Sequence, residues 1–254
     1  MYICRMASVN VVYNTLIDLV NKDQKGFITP SVFNSFAGVA QINIYNRLFD
    51  DFKDAHRNKR AAFDPGRDKS LFKRINEDLS TFVRTETLSR TDGVFEKPED
   101  ISRIISSTTF GSILLGQSTR TPIEMCYDED KIDRILRSDI SSPTEDFPIA
   151  LISKDIEVFP QSINRIRLKY YKIPQSIDSE GQPSTQPPTY GSIEFGDAEI
   201  YSSSDSYDFE LPNHYVAMLV IEIAQLIGIN LRDAAVEQFG NSEQLLLKQQ
   251  QSFG

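Results

Sequence analysis

Tryptophan is absent from this sequence, and cysteine and histidine nearly so: two of each stand in 254 residues. Two cysteines, Cys4 and Cys126, exclude a disulfide scaffold and a four-cysteine zinc site. His56 and His214 are the only imidazoles, so a histidine-rich metal centre and a multi-histidine mechanism are excluded too. Long hydrophobic runs are missing. The nearest, Leu211 to Ile229, is broken by Asn213, His214, Glu222 and Gln225 and is too polar to span a bilayer. The opening residues, Met1 to Met6, lack the apolar stretch of a secretory signal, and with no disulfide needed a reducing cytoplasm suits the chain. Positive charge is in deficit: 27 basic residues face 36 acidic ones, for a net charge of −9. A protein that wraps nucleic acid with its whole surface is usually basic.

What remains is a globular composition, 40% apolar and 25% charged, long enough for one large domain or two modest ones. The first third reads as a helical hairpin. Ser8 caps a helix carrying Val9, Val12, Tyr13, Leu16 and Val20 at helical spacing. A polar stretch ending at Gly26 stops it. Thr29-Pro30 starts a second helix that runs to about Lys59, with a stripe of Phe33, Phe36, Ala37, Ala40, Ile44, Leu48 and Phe52.

The middle is richer in strand signals. Thr81 to Arg90 is ambiguous and compatible with an extended segment. Glu96 to Ser106 reads as a short helix with Pro98 near its start. Thr119 to Tyr127 reads as extended and Asp130 to Arg137 as helix. Ile149–Ile152 and Ile156–Phe159 read as paired strands. From Asn164 to Tyr170 the residues alternate basic and apolar, which predicts a half-buried strand with one basic face, Arg165, Arg167 and Lys169, followed by Lys172. Ser176 to Tyr190, rich in Pro, Ser, Thr and Gln, reads as a mobile loop, and Ser192 to Ile200 as a strand. Leu211 to Gly228 is a helix apolar almost all round, hence buried on most sides.

These elements predict an α+β fold: a helical core from the N-terminal hairpin and the C-terminal helices, with a small antiparallel β subdomain between them. The expected division is residues 1–95, 96–210 and 211–254.

Candidate chemistry is sparse. Gly111 to Ser118 has the glycine spacing of a phosphate loop, but Gln117 stands where the loop needs its lysine. Glu124, Asp128, Glu129 and Asp130 cluster, yet a calcium loop starting at Asp128 would need glycine where Asp133 stands. His56 and His214 read as structural. No catalytic residue, metal or cofactor is expected. Two features point to partners instead. The basic strand face can meet phosphate, or an acidic protein surface such as the last quarter of the chain, where ten acids accompany two bases from Glu194 onward. The tail carries Leu245, Leu246, Leu247 and Phe253. Burying two or three of these contributes on the order of 3–6 kcal/mol before ordering costs, on the chain's own core or on a partner.

Three stretches taken in order carry a family resemblance. They are Asn21 to Pro30 leading into Phe33-Asn34 and Ala40-Gln41; Ser162 to Pro174; and Tyr207 to Pro212 leading into the apolar helix and Gly228 to Asp233. Together, over about residues 8 to 240, the chain resembles the neck-ring, or head–tail connector, structural proteins of tailed bacteriophages, especially the crAss-like and related podovirus type. The resemblance implies a virion protein made in the host cytoplasm, which forms a ring of about twelve copies. It implies contact with the portal protein and with further neck-ring or tail proteins. Genomic DNA would pass through the channel without sequence-specific binding, and no membrane is involved. The rival expectations are a nucleotide-dependent cytoplasmic enzyme using the Gly111–Ser118 loop and an unrelated adaptor.

Overall fold

The computed structural model describes residues 6–22, 28–61, 68–110, 113–114, 117–118, 120–138, 140–195 and 198–228. In chain order the elements are helices α1 (Val9–Lys22), α2 (Pro30–Ala61) and α3 (Asp68–Ser80). Strands β1 (Val83–Ser89), β2 (Ile101–Thr109), β3 (Ile113–Leu114), β4 (Gln117–Ser118) and β5 (Glu124–Cys126) precede helix α4 (Glu129–Leu136). Strands β6 (Ile149–Ile152), β7 (Ile156–Phe159) and β8 (Arg165–Lys172) follow. Then come β9 (Ser176–Ile177), β10 (Pro183–Ser184), β11 (Ser192–Phe195), β12 (Ala198–Tyr201) and β13 (Asp208–Phe209), and helix α5 (Val216–Leu226) closes the described chain. The fold is mixed α+β. It divides into two units, one formed by Met1–Ser80 with Pro174–Gly254 and the other by Thr81–Ile173.

In the first unit, the two ends of the chain build one helical core. Helix α1 buries Val9, Val12, Tyr13, Leu16 and Val20, and α2 buries Phe33, Ala37, Ala40, Ile44 and Leu48. These are the apolar stripes of the sequence, with Phe36 and Phe52 at their half-buried margins. Helix α5 packs against both, burying Leu219, Val220, Ile223 and Ala224. Thr29 caps α2, its hydroxyl accepting from the N–H of Val32 at 3.3 Å. The start of α1 is completed from afar: the Asp208 carboxylate accepts from the N–H of Val9 at 2.7 Å, placing negative charge at the positive end of the helix. Gly228, at φ +81°, ends α5, its N–H returning to the Gln225 carbonyl.

Two amides on α2 hold the segment after Pro174. Asn34 pairs with the peptide group of Tyr190 in both directions, at 3.1 and 2.7 Å. Gln41, 1% exposed, donates to the carbonyl of Gln175 at 2.8 Å and accepts from the N–H of Glu210 at 2.9 Å. The Glu210 carboxylate in turn accepts from the N–H of Gln175 at 2.7 Å. The segment Ser176–Tyr190 is therefore not the loose loop its composition predicts. It forms the short pair β9–β10, with β9 also bonded to β13. Asp178 closes a turn by accepting from the N–H groups of Glu180 and Gln182. Ser176 is buried and donates to the Gln186 carbonyl at 2.6 Å. Tyr190 ends the segment among Tyr13 and Tyr201, with ring centroids 4.1 and 5.2 Å away. Turn residues satisfied by specific partners look identical, in composition, to a flexible linker.

The second unit is built from two three-stranded sheets, β1-β8-β2 and β5-β6-β7. Phe95, Ile123, Ala150, Ile152, Ile156, Val158, Ile163, Ile166, Leu168 and Tyr170 make its core, and Leu168→Ala should cost about 2–5 kcal/mol. Strand β2 also bonds beyond its own sheet, Thr109 N–H to the Thr121 carbonyl and Ile123 N–H to the Ser107 carbonyl. Two expectations are corrected here. Glu96 to Ser106 contains no helix: Ile101–Thr109 is a strand, because its β-branched and hydroxyl residues suit a pleated surface, whereas Pro98 and the flanking acids merely imitate a helix start. And the sheets are not wholly antiparallel, since β5 runs parallel to β6 while β6–β7 is the antiparallel pair read from the sequence. A parallel neighbour needs a long crossover, which α4 and the segment up to Pro148 supply.

Candidate interaction surface

Strand β8 lies in the middle of its sheet, antiparallel to β1 on one side and β2 on the other. Its period of two sends Ile166, Leu168, Tyr170 and Lys172 to the buried face. Arg165, Arg167 and Lys169 go to the opposite face, where Arg165 and Lys169 are exposed and Arg167 half-exposed. Lys172, which follows them in sequence, is therefore not part of the basic face. It is 1% exposed.

The neighbours complete the outer face. On β1, Ser89 stands opposite Arg165, Thr87 opposite Arg167 and Thr85 opposite Lys169, all three exposed. On β2, Thr108 stands opposite Arg167, Ser106 opposite Lys169 and Arg103 opposite Tyr171. Irregularities in β2 between Ile101 and Arg103 and between Ile104 and Ser106 keep these residues in phase with β8. The Arg165 guanidinium sits over the ring of Phe110, 5.2 Å from its centroid. Cations thus run down the centre strand and hydroxyls flank them on both sides.

The three strands place no carboxylate on this face. The three strands hold a single acid, Glu86, which stands opposite Leu168 on the other side of the sheet. There it accepts from the Tyr170 hydroxyl at 2.9 Å, together with Asp100 at 3.0 Å. Burial and these two carboxylates push the Tyr170 phenol far above its ordinary range. Arg90 shows the contrast within the same unit: its guanidinium is spent on the carbonyls of Ile163 and Val158 at 3.0 and 2.7 Å and on that of Gly93.

Of the ten acids of the last quarter, the four whose side chains are described each have a partner within the chain. Asp208 caps α1 and Glu210 holds Gln175. Asp205 accepts from Ser202, and Glu222, 8% exposed, accepts from Asn43 and Arg47 at 2.8 Å each.

The other candidates read from the sequence carry less. Residues 113–114 and 117–118 pair as a hairpin, so no helix starts at Gln117 as a phosphate loop requires. Asp128 caps α4 by accepting from the N–H of Lys131, and Glu124 pairs with Lys131 at 3.7 Å. No group of three or more potential metal ligands occurs among the described residues. Beside α4 lies an open depression of about 350 Å³ lined by Asp128, Lys131, Arg134, Ile135, Ser138 and Ser141. His214 lies 3.4 Å from Asp78, whose carboxylate also accepts from the Tyr215 hydroxyl at 2.8 Å. Burial raises the Asp78 carboxyl, but the hydrogen bonds from His214 and Tyr215 and the charges of His214 and Arg74 outweigh it, and the net shift is downward. Leu245, Leu246, Leu247 and Phe253, and the side chain of His56, lie outside the described residues.

The sequence reading found the three cations but missed the hydroxyl rows and Arg103. The alternation Thr85-Glu86-Thr87-Leu88-Ser89 and the β-branched run from Ile101 to Thr109 were the available signals. Among the described residues, no helix is long and apolar enough to cross a membrane. No protein-family model and no curated protein matches the chain.

Proposed function

We propose that this chain is a structural subunit of a bacteriophage neck, assembling with copies of itself into a ring between portal and tail. It acts by assembly and not by catalysis. The observation that carries the reading is the outer face of β1-β8-β2, where exposed and half-exposed cations and hydroxyls line up and the three strands place no carboxylate. Such a face is arranged for contact with a charged partner and has no counterpart within its own sheet. The order of motifs that resembles the neck-ring proteins supports it as well. In this reading the helical unit builds the ring wall. The portal protein and further neck-ring or tail proteins bind above and below, and the tail with Leu245, Leu246, Leu247 and Phe253 docks on the portal. The protein then resides in the virion after synthesis in the host cytoplasm.

Native mass spectrometry of the purified chain, alone and mixed with portal rings, tests this. A closed ring and a portal complex are expected. Deleting residues 243–254 should abolish portal attachment while leaving the thermal midpoint of the subunit nearly unchanged. A chain that stays monomeric at every concentration and ignores the portal would overturn the reading.

A further inference from the structure

We infer that the outer face of the β1-β8-β2 sheet binds the phosphate backbone of duplex DNA without regard to sequence. The inference names the partner of the surface on which the proposed function rests, and its test does not need a ring to form. Three observations lead to it. First, Arg165, Arg167 and Lys169 occupy alternate positions of one strand, so their Cα atoms are roughly 6.8 Å apart, close to the step between successive phosphates of a nucleic-acid strand. Second, the groups beside them are hydroxyls: Thr85, Thr87 and Ser89 on β1, Ser106 and Thr108 on β2. Cations with flanking Ser and Thr donors form the usual set for phosphate oxygens. Third, the three strands place no acid on this face, so nothing on the sheet itself repels a phosphate.

The kind of nucleic acid follows from shape. Reading unstacked bases takes a platform of exposed aromatic rings. Here Phe110, though 42% exposed, is covered by the Arg165 guanidinium, and Tyr171, on the same face, is half-buried. A face that presents charge and hydroxyls fits the outside of a duplex. With a net charge of −9, the rest of the molecule repels DNA, so the contact is confined to this patch and strongly salt-dependent.

The experiment is fluorescence anisotropy of the full chain with short DNA duplexes of two unrelated sequences, across a salt series. Equal affinity for both sequences is expected. Three phosphate contacts give a slope of log K against log salt of about −2.7, a loss of roughly 40-fold between about 50 and 200 mM salt. Replacing Arg165, Arg167 and Lys169 together by threonine, a good strand former at exposed positions, should leave the circular dichroism spectrum unchanged and lower affinity at least tenfold. Arg167→Thr alone should flatten the slope by about 0.9 and stands in if the triple variant misfolds. The proposal is overturned if the wild-type chain does not bind at the lowest salt, if the variants bind as tightly as wild type, or if inorganic phosphate competes as well as duplex DNA. It is likewise overturned if the triple variant loses ring formation or portal attachment while its DNA affinity is unchanged, which would make the face a protein interface. DNA binding by a chain that never forms a ring sustains this inference while removing the proposed function.

Discussion

The two units differ in where their most consequential polar side chains lie. In the helical unit, Asn34, Gln41, Asp208, Glu210 and Glu222 each meet a distant peptide group or side chain, and several are almost fully buried. In the β unit a largely apolar core closes the two sheets, and three of its cations stand on an outer face where the three strands place no carboxylate. Buried polar contacts are costly to break and make a structure specific. Exposed charges contribute little to stability and remain available to a partner. Substitutions in the first unit should therefore act on folding, and those on the outer sheet face on binding.

The sharpest way to break that contrast is Gln41→Ala. It removes the partner of the half-buried Gln175 carbonyl and of the buried Glu210 N–H and should cost about 2–4 kcal/mol, read as a shift in the urea midpoint. Gly191→Ala comes next. A Cβ there would lie 2.6 Å from the carbonyl carbon and oxygen of Asp205, contacts with backbone that cannot move aside cheaply, and a loss of about 1–3 kcal/mol is expected in a thermal melt. Tyr215→Phe removes the hydroxyl held by the Asp78 carboxylate and should cost about 1.5 kcal/mol.

Asp78 adds a pH dependence whose sign can be stated. Its folded pKa lies below the unfolded one, so its contribution is fully present above the ordinary carboxyl pKa of about 3.9 and is lost as pH falls through the lowered folded value. Asp78→Asn should reduce the acid sensitivity of the urea midpoint in that window. The smallest effect is reserved for Arg165, Arg167 and Lys169: their replacement by threonine should change stability by no more than about 0.5 kcal/mol. A large loss would show that these cations hold the sheet together, and the contrast between the units would fail.

Much of the helical unit was legible because its signals are local. The stripes of α1 and α2, the Thr29 cap and the apolar α5 each depend on residues within a few turns. The alternation of β8 and the β6–β7 pair were legible for the same reason. What escaped depends on long range. Whether Ser176–Tyr190 is ordered rests on Asn34 and on Tyr13, far away in sequence. That Asp208 would cap α1, and not join an acidic surface, needs a contact across 199 positions. Of the candidate site, the cations were visible from their spacing, while the face they share was not. It depends on which strands flank β8, and one of those, β2, has an opening that mimics a helix start.

The division of the helical core between the two ends of the chain has a consequence for biosynthesis. Helices α1 to α3 are complete by Ser80, but the groups that cover them and accept the amides of Asn34 and Gln41 extend from Pro174 to Ala224. At about 5–20 residues per second, a ribosome takes on the order of 7–30 s to deliver them. The β unit, contiguous from Thr81 to Ile173, has all its strands well before then. Over the last part of that interval, from Ile173 to Ala224, the nascent chain carries a finished β unit behind helices whose apolar stripes are uncovered. Crowded synthesis of many copies is then most exposed to misassociation through Phe33, Ala37, Ile44 and their neighbours, and holdase chaperones would bind there first.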